Sequence, residues 1–245
     1  NIPITTNLMG FYKGLDYKMW AKYMDVVSWD NYPANEDSPA MIAMSHDLMR
    51  GIKGGQPFLL MEQTPSVTNW LPYNALKRPG VMRLWSYQAV AHGADAVMFF
   101  QMRRTVGACE KLHGAVIDHV GTNQTRVYRE VQALGAELEK IGQETLGAVT
   151  EAKVALYFDW DNWWAAECSA GPSCELKYRD EFLNYYEAFH SLNIPVDIVG
   201  PEDDLDRYRV LAAPLLYMTK TGYDEKIRSF TQNGGIFITT FFSGI

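Results

Sequence analysis

What most limits the fold of this chain is an alternation of two hydrophobic periods. Apolar runs rich in β-branched and aromatic residues recur at Ile4–Asn7, Val26–Tyr32, Phe58–Thr64 and Ala96–Arg103, and each leads into residues with helical spacing. Strands buried on both faces read as continuous apolar runs, and parallel strands need crossover connections, which helices supply. The pattern predicts a parallel α/β sheet. After the second run, Ser38-Pro39 forms an N-cap and first-turn pair, and Met41, Met44, Leu48, Met49 and Ile52 fall on one helical face. Lys53-Gly54-Gly55 ends that helix. Val81, Leu84, Gln88 and Ala91 mark a second crossover that ends at Gly93, and Val127, Val131, Leu134, Leu138 and Ile141 mark a long helix whose stripe is expected to pack on the sheet.

Composition shifts near Gly147-Ala148-Val149-Thr150, and a second alternation opens with a strand at Lys153–Phe158. Its first helix carries Phe182, Leu183, Tyr186 and Phe189 on one face. Further strands are expected at Pro195–Val199, Arg209–Ala213 and Ile236–Phe241, the last preceded by the helix stop Asn233-Gly234-Gly235. The domains are therefore drawn at 1–148 and 149–245.

A chain of 245 residues, 47% hydrophobic, can bury a sizeable core. Its net charge of -7 gives no footprint for nucleic acid or an anionic membrane, so a neutral or cationic small ligand fits better. Runs such as Ala96–Phe100 fall far short of the ~20 residues that cross a bilayer. With no signal peptide, a soluble and cytoplasmic protein is expected. Cys109, Cys168 and Cys174 form no metal-ligand pattern, and their odd number argues against a disulfide framework. The chain begins with Asn1 rather than Met and stops just after an apolar run, so a piece of a longer protein is expected.

The candidate chemistry lies where strands end: Thr6-Asn7, Trp29-Asp30-Asn31-Tyr32, Glu62-Gln63-Thr64 and Gln101-Met102-Arg103. In β/α barrels the C-terminal strand ends form the active face. Glu62 is the sharpest case, a carboxylate closing the buried run Phe58-Leu59-Leu60-Met61, although an ion-paired glutamate would look the same. Trp29 and Asp30 read equally well as core and turn residues. Glu110 and His113 have the spacing of a metal pair, but two ligands fall short of the three or four a site needs.

Four blocks in register resemble glycoside hydrolase family 42 β-galactosidases: Val26-Val27-Ser28-Trp29-Asp30-Asn31-Tyr32-Pro33, Leu60-Met61-Glu62-Gln63-Thr64-Pro65, Arg83-Leu84-Trp85 and Phe99-Phe100-Gln101-Met102-Arg103. The resemblance implies the second half of a (β/α)₈ TIM barrel, followed by a flavodoxin- or amidotransferase-like α/β trimerisation domain, whole or truncated, that starts at Val154-Ala155-Leu156-Tyr157-Phe158-Asp159-Trp160. It implies Glu62 as the nucleophile of a retaining β-galactosidase, with Tyr32, Trp70, Glu110 and His113 binding a galactoside or galacto-oligosaccharide. No cofactor or metal is implied. A zinc-binding cysteine set known in some relatives would lie upstream, leaving Cys168 and Cys174 as ordinary cysteines.

The family's acid/base glutamate follows an asparagine at the end of the fourth barrel strand, and would precede Asn1. Asn35-Glu36 is the sole such pair ahead of Glu62 and reads as solvated loop. A non-catalytic assembly module and a same-fold enzyme for α-L-arabinopyranosides are the competing readings. The assembly expected is a homotrimer, with Trp160, Trp163 and Trp164 as a contact surface, core packing being the alternative.

Overall fold

The computed structural model describes residues 2–169 and 171–244. They form two four-stranded, all-parallel sheets. The first sheet has the order β1 (Asn7–Leu8), β2 (Ser28–Asp30), β3 (Phe58–Glu62), β4 (Ala94–Val97). Sequential strands pair side by side, each pair parallel and joined by a crossover. Helices α1 (Tyr17–Ala21), α2 (Pro39–Ile52) and α3 (Val81–Ala91) connect them, and α4 (Arg126–Thr145) follows the last strand. Ser38 caps α2 as its sequence position predicts, its side chain accepting from the Ala40 and Met41 amides.

β1 is shorter and later than the Ile4–Asn7 run. The Ile4 backbone instead engages the turn before β2, donating to Asp25 Oδ2 at 2.7 Å and accepting from Asp25 N at 2.8 Å, and its side chain is exposed. β4 begins and ends earlier than the expected Ala96–Arg103. Past Val97 the chain still exchanges hydrogen bonds with β3 and its extension, from Met98 N to Leu60 O at 2.9 Å and Phe100 N to Gln63 O at 3.0 Å, but without regular ladder geometry.

Two helices bury faces that differ from expectation. In α3 the buried stripe is Met82, Trp85, Ser86 and Ala89, one position along from Val81, Leu84, Gln88 and Ala91, and Leu84 is exposed. Burying the large Trp85 outweighs the expected stripe. The polar Ser86 is tolerated in the core because its hydroxyl accepts from Gln63 Nε2 at 2.7 Å and donates to Met82 O at 2.8 Å. In α4 the expected stripe does face the protein, yet only Leu134 is fully buried. This helix packs on α3 beside β4, the last strand of the sheet among the described residues.

The second sheet has the order β6 (Val196–Val199), β5 (Val154–Tyr157), β7 (Val210–Ala213), β8 (Ile236–Thr239), with α5 (Trp160–Cys168), α6 (Tyr178–Ser191) and α7 (Tyr223–Gln232). The four strand expectations hold to within one or two residues. The tryptophan cluster is not a free contact surface: Trp160 and Trp163 are buried and Trp164 is half-buried. Their indoles seat the loop after β1, Trp160 Nε1 donating to Tyr12 O at 3.1 Å and Trp164 Nε1 to Lys13 O at 2.6 Å. The large aromatic area is thus spent within the chain.

One hydrophobic core runs through both sheets, from Leu8, Trp29 and Leu60 to Leu156, Phe182 and Ala212. Helix α2 lies between them, so its second face is buried as well, against β6 and α6. Gly51 permits the approach, since a Cβ there would lie 2.1 Å from Ile198 O. Two charged side chains on that face are paired: Arg50 meets Asp47 at 2.6 Å and Asp197 of β6 at 3.0 Å. The three cysteines are free and exposed, and no helix among the described residues is long and apolar enough to cross a membrane.

Candidate active site

The two-residue strand β1 and the C-terminal ends of β2 and β3 bring Asn7, Asp30 and Glu62 together. Parallel pairing sets Asp30 opposite Glu62, through a register shift between Trp29 and Asp30. The Glu62 carboxylate is held on both oxygens. Tyr32 donates its hydroxyl to Oε2 at 2.5 Å, and Asn7 Nδ2 donates to Oε1 at 3.2 Å. The same Asn7 amide donates to Asp30 Oδ1 at 3.0 Å. A carboxylate gripped this way is fixed in orientation, as a nucleophile must be to meet its target in line.

Burial raises the pKa of Asp30 to about 6; the Glu62 charge adds to this and the Asn7 hydrogen bond opposes it. Burial also raises Tyr32, reinforced by its hydrogen bond to Glu62 and by the charges of Glu62, Asp30 and Glu110. Tyr32 therefore stays a protonated donor at any working pH.

Beside this group stands an aromatic wall. Trp70 meets Tyr32 edge to face at 4.8 Å and stacks on His113 at 5.1 Å, and His113 meets Tyr32 at 5.7 Å. Trp70 is 54% exposed, so a broad apolar face remains open to solvent. Asn69 ties the two loops: its Nδ2 donates to Cys109 O at 2.8 Å and its Oδ1 faces His113 Nδ1 at 3.2 Å. That orientation puts a proton on Nδ1 and leaves Nε2 of the neutral ring as an acceptor. Burial lowers the His113 pKa. The Phe100 carbonyl works the other way without meeting the ring in hydrogen-bond geometry, and Nε2 has no partner among the described residues. Glu110 sits exposed in the short 3₁₀ turn Cys109–Leu112, its carbonyl accepting from His113 N at 2.9 Å.

The structure thus gathers Glu62, Tyr32, Trp70 and His113, with Glu110 on the adjoining turn. Asn35 and Glu36 lie in an exposed loop. Among the described residues no three His, Cys, Asp or Glu side chains gather as a metal site. The sequence marks Asn7 and Asp30 only as strand-end residues and gives no sign of Asn69. Their strand-end position is the readable signal for the first two. Asn69, in a loop, has none but its place beside Trp70.

These features define a parallel β/α protein with a clamped carboxylate at the strand ends beside an aromatic wall. Comparison with known proteins gives the particular family. Residues 1–141 match the profile of the family-42 glycoside hydrolases, described as β-galactosidase, and residues 152–245 match the β-galactosidase trimerisation domain. The chain belongs to the glycoside hydrolase family 42 β-galactosidases. It is 62% identical over 245 residues to β-galactosidase BgaP of Planococcus sp. (strain L4), and 49% identical over 246 residues to β-galactosidase BgaB of Geobacillus sp. (strain Y412MC61). Each alignment covers all of this chain and 36% of the relative. The crystal structure of a β-galactosidase from Bacillus circulans sp. alkalophilus superposes with a TM-score of 0.98 at 61% identity, over 100% of this chain and 36% of that one. At 27% identity, the enzyme from the psychrophilic Marinomonas ef1 still gives 0.85 over 97% of this chain and 39% of its own. The chain spans about a third of the length of the relatives it matches.

Proposed function

We propose that this chain is the nucleophile-bearing part of a retaining β-galactosidase, with Glu62 as the nucleophile. The supporting observation is the Glu62 carboxylate, closing a mostly apolar strand and held on both oxygens by Tyr32 and Asn7. In this reading the first sheet supplies strands five to eight of a (β/α)₈ barrel, and residues 1–148 are the catalytic portion. Residues 149–245 form the domain through which three copies associate, by a surface other than the buried tryptophans.

The reaction is double displacement. Glu62 attacks the anomeric carbon of a terminal galactose, the bond to the leaving oxygen breaks, and a carboxylic acid upstream of Asn1 gives that oxygen its proton. The resulting carboxylate then takes a proton from water, which displaces Glu62 and releases galactose with its configuration retained. Trp70 offers its face to the apolar side of the pyranose ring. Glu110 accepts from sugar hydroxyls, while His113, fully buried, backs the Trp70 ring and offers Nε2 to the sugar only when the loop around it moves.

Trapping tests this reading. A 2-fluorogalactoside with an activated leaving group should label the full-length protein at Glu62, and labelling at any other carboxylate overturns the assignment. Light scattering that shows a monomer at micromolar concentration overturns the trimer.

A further inference from the structure

Double displacement uses two carboxyl groups, and Asp30 is neither of them, yet the fold sets it across the β2–β3 pair from Glu62. Two carboxylates side by side repel each other, so a residue with no task there is a cost without return. The link between them is Asn7. Its one amide nitrogen carries two protons, and it donates to the Asp30 carboxylate, at 3.0 Å to Oδ1 and 3.3 Å to Oδ2, and to Glu62 Oε1 at 3.2 Å. An amide free to rotate could serve Glu62 with either proton or turn away. Anchoring one proton on Asp30 aims the other.

We propose that Asp30 is a positioning residue, which holds the Asn7 amide so that its second N–H fixes Glu62 Oε1 and keeps the nucleophile aligned. The inference rests on the reading of Glu62 as nucleophile. The groups facing Asp30 are Glu62 from β3, the Tyr32 phenol beyond its own strand, and the uncharged Asn7 from β1. A small cavity of about 200 Å³ behind it is also lined by Asp37 and by Arg179 of α6, the latter 3.6 Å from Asp180. Burial and the Glu62 charge bring the Asp30 pKa to about 6. As pH falls through that value Asp30 takes up a proton and grips the Asn7 amide less strongly, because a neutral carboxyl is the weaker acceptor.

The test is the inactivation rate of the full-length enzyme by an activated 2-fluorogalactoside, which reports the first chemical step alone. It is followed across the acid limb for the wild type, Asp30→Asn, Asn7→Ala and the double variant. Asp30→Asn imitates the protonated form in shape, and should slow inactivation by roughly 10²-fold, the scale of a misaligned reacting group. The inflection near pH 6 should vanish. Galactose binding, read from product inhibition, should change little, which separates alignment from loss of the pocket. Because Asp30 acts through Asn7, the double variant should be no slower than Asn7→Ala alone. Should Asp30→Asn fail to fold, Asn7→Ala carries the test, since it must show the same slowing. The proposal is overturned by wild-type rates and inflection in either variant, or by effects that multiply. Labelling away from Glu62 in the wild type overturns the nucleophile and this inference together; labelling at Glu62 with an indifferent Asp30→Asn overturns this inference alone.

Discussion

Arg50→Ala would remove the cation that joins the two sheets. Arg50 is 3% exposed, and its guanidinium meets Asp47 Oδ1 at 2.6 Å and Asp197 Oδ1 at 3.0 Å. It also donates to the carbonyls of His92 and Val196, at 2.7 and 2.9 Å. Alanine would leave Asp47 and Asp197, exposed by only 2% and 4%, without their shared counter-ion. Deleting one partner of a buried ion pair costs roughly 3–5 kcal/mol, most of it from the charge left behind. Here the remaining partners soften the loss. Asp47 keeps His92 at 2.7 Å and the Tyr186 hydroxyl at 2.5 Å, and Asp197 keeps Arg207 and Tyr208 at 2.7 and 2.9 Å. The lower end, about 3 kcal/mol, is therefore expected. In the wild type burial alone would raise the Asp47 pKa, but the charges of His92 and Arg50, with the hydrogen bonds from His92 and Tyr186, hold it down. That stabilisation is present above the unfolded pKa of about 3.9 and fades as pH falls through the folded value. Without Arg50 the Asp47 carboxylate protonates more readily, so the deficit of the variant should shrink on acidification. Urea unfolding of the full-length protein at neutral and mildly acidic pH measures both effects. A loss below about 1 kcal/mol, the range of exposed pairs, or a deficit that grows on acidification would refute the reasoning.

Gly51→Ala should destabilise by roughly 1–3 kcal/mol, because the new Cβ would lie 2.1 Å from Ile198 O and force α2 from β6; Gly142→Ala in α4, with open space around it, should instead gain about 0.5–1 kcal/mol. Both are read from the denaturant midpoint, and equal effects would argue against close apposition at Gly51. Lys77 is 5% exposed with its ammonium 5.0 Å from the Trp85 ring, and burial lowers its pKa to about 7. The folded state then gives up that proton near pH 7 while the unfolded state keeps it to about 10.4, so Lys77 makes stability rise with pH across that window. Lys77→Met should flatten the rise, and an unchanged slope would refute the shift.

In the second sheet β5 was legible because it is buried on both faces and so reads as an unbroken apolar run, all four residues being inaccessible, whereas β8, an exposed edge strand, was legible from its β-branched and aromatic residues after the Asn233-Gly234-Gly235 stop. The Ser38 cap was legible because capping is local chemistry. Helix faces were less so. Period alone offers two stripes on α3, and the choice between them falls to the volume of Trp85 and to the hydroxyl that Ser86 gives Gln63, a partner 23 residues away. The tryptophans after β5 show the same limit: their number is visible in sequence, but the carbonyls of Tyr12 and Lys13 that absorb two of their indole protons are about 150 residues distant.

The candidate site divides along the same line between local and non-local causes. Glu62 is visible because an ionisable residue ending an apolar strand is a contradiction within five residues of sequence, and strand ends of parallel β/α proteins are where such contradictions serve a purpose. The grip on it is not visible, because Asn7, Asp30 and Tyr32 come from two other strands, and the shift after Trp29 sets which residue stands opposite Glu62. One residue more or less in that pairing would turn Asp30 to the other face of the sheet. Helix α2 shows how the fold hides function-bearing rigidity from pattern reading. Its Met41, Met44, Leu48, Met49 and Ile52 stripe predicts one buried face and says nothing of His46, Asp47 and Arg50, which are buried too. Asp47 and Arg50 are buried because β6 and α6 cover them, and that cover depends on a glycine at 51 and on a cation matched by two carboxylates from different elements; His46 is buried against Trp29 and Phe58 of the first sheet. The loop after β1 is pinned in turn by α5, so the strand end that presents Asn7 to Glu62 is braced by the second sheet. Loosening the sheets from each other should therefore reach Glu62 through Asn7 before the core of either sheet gives way.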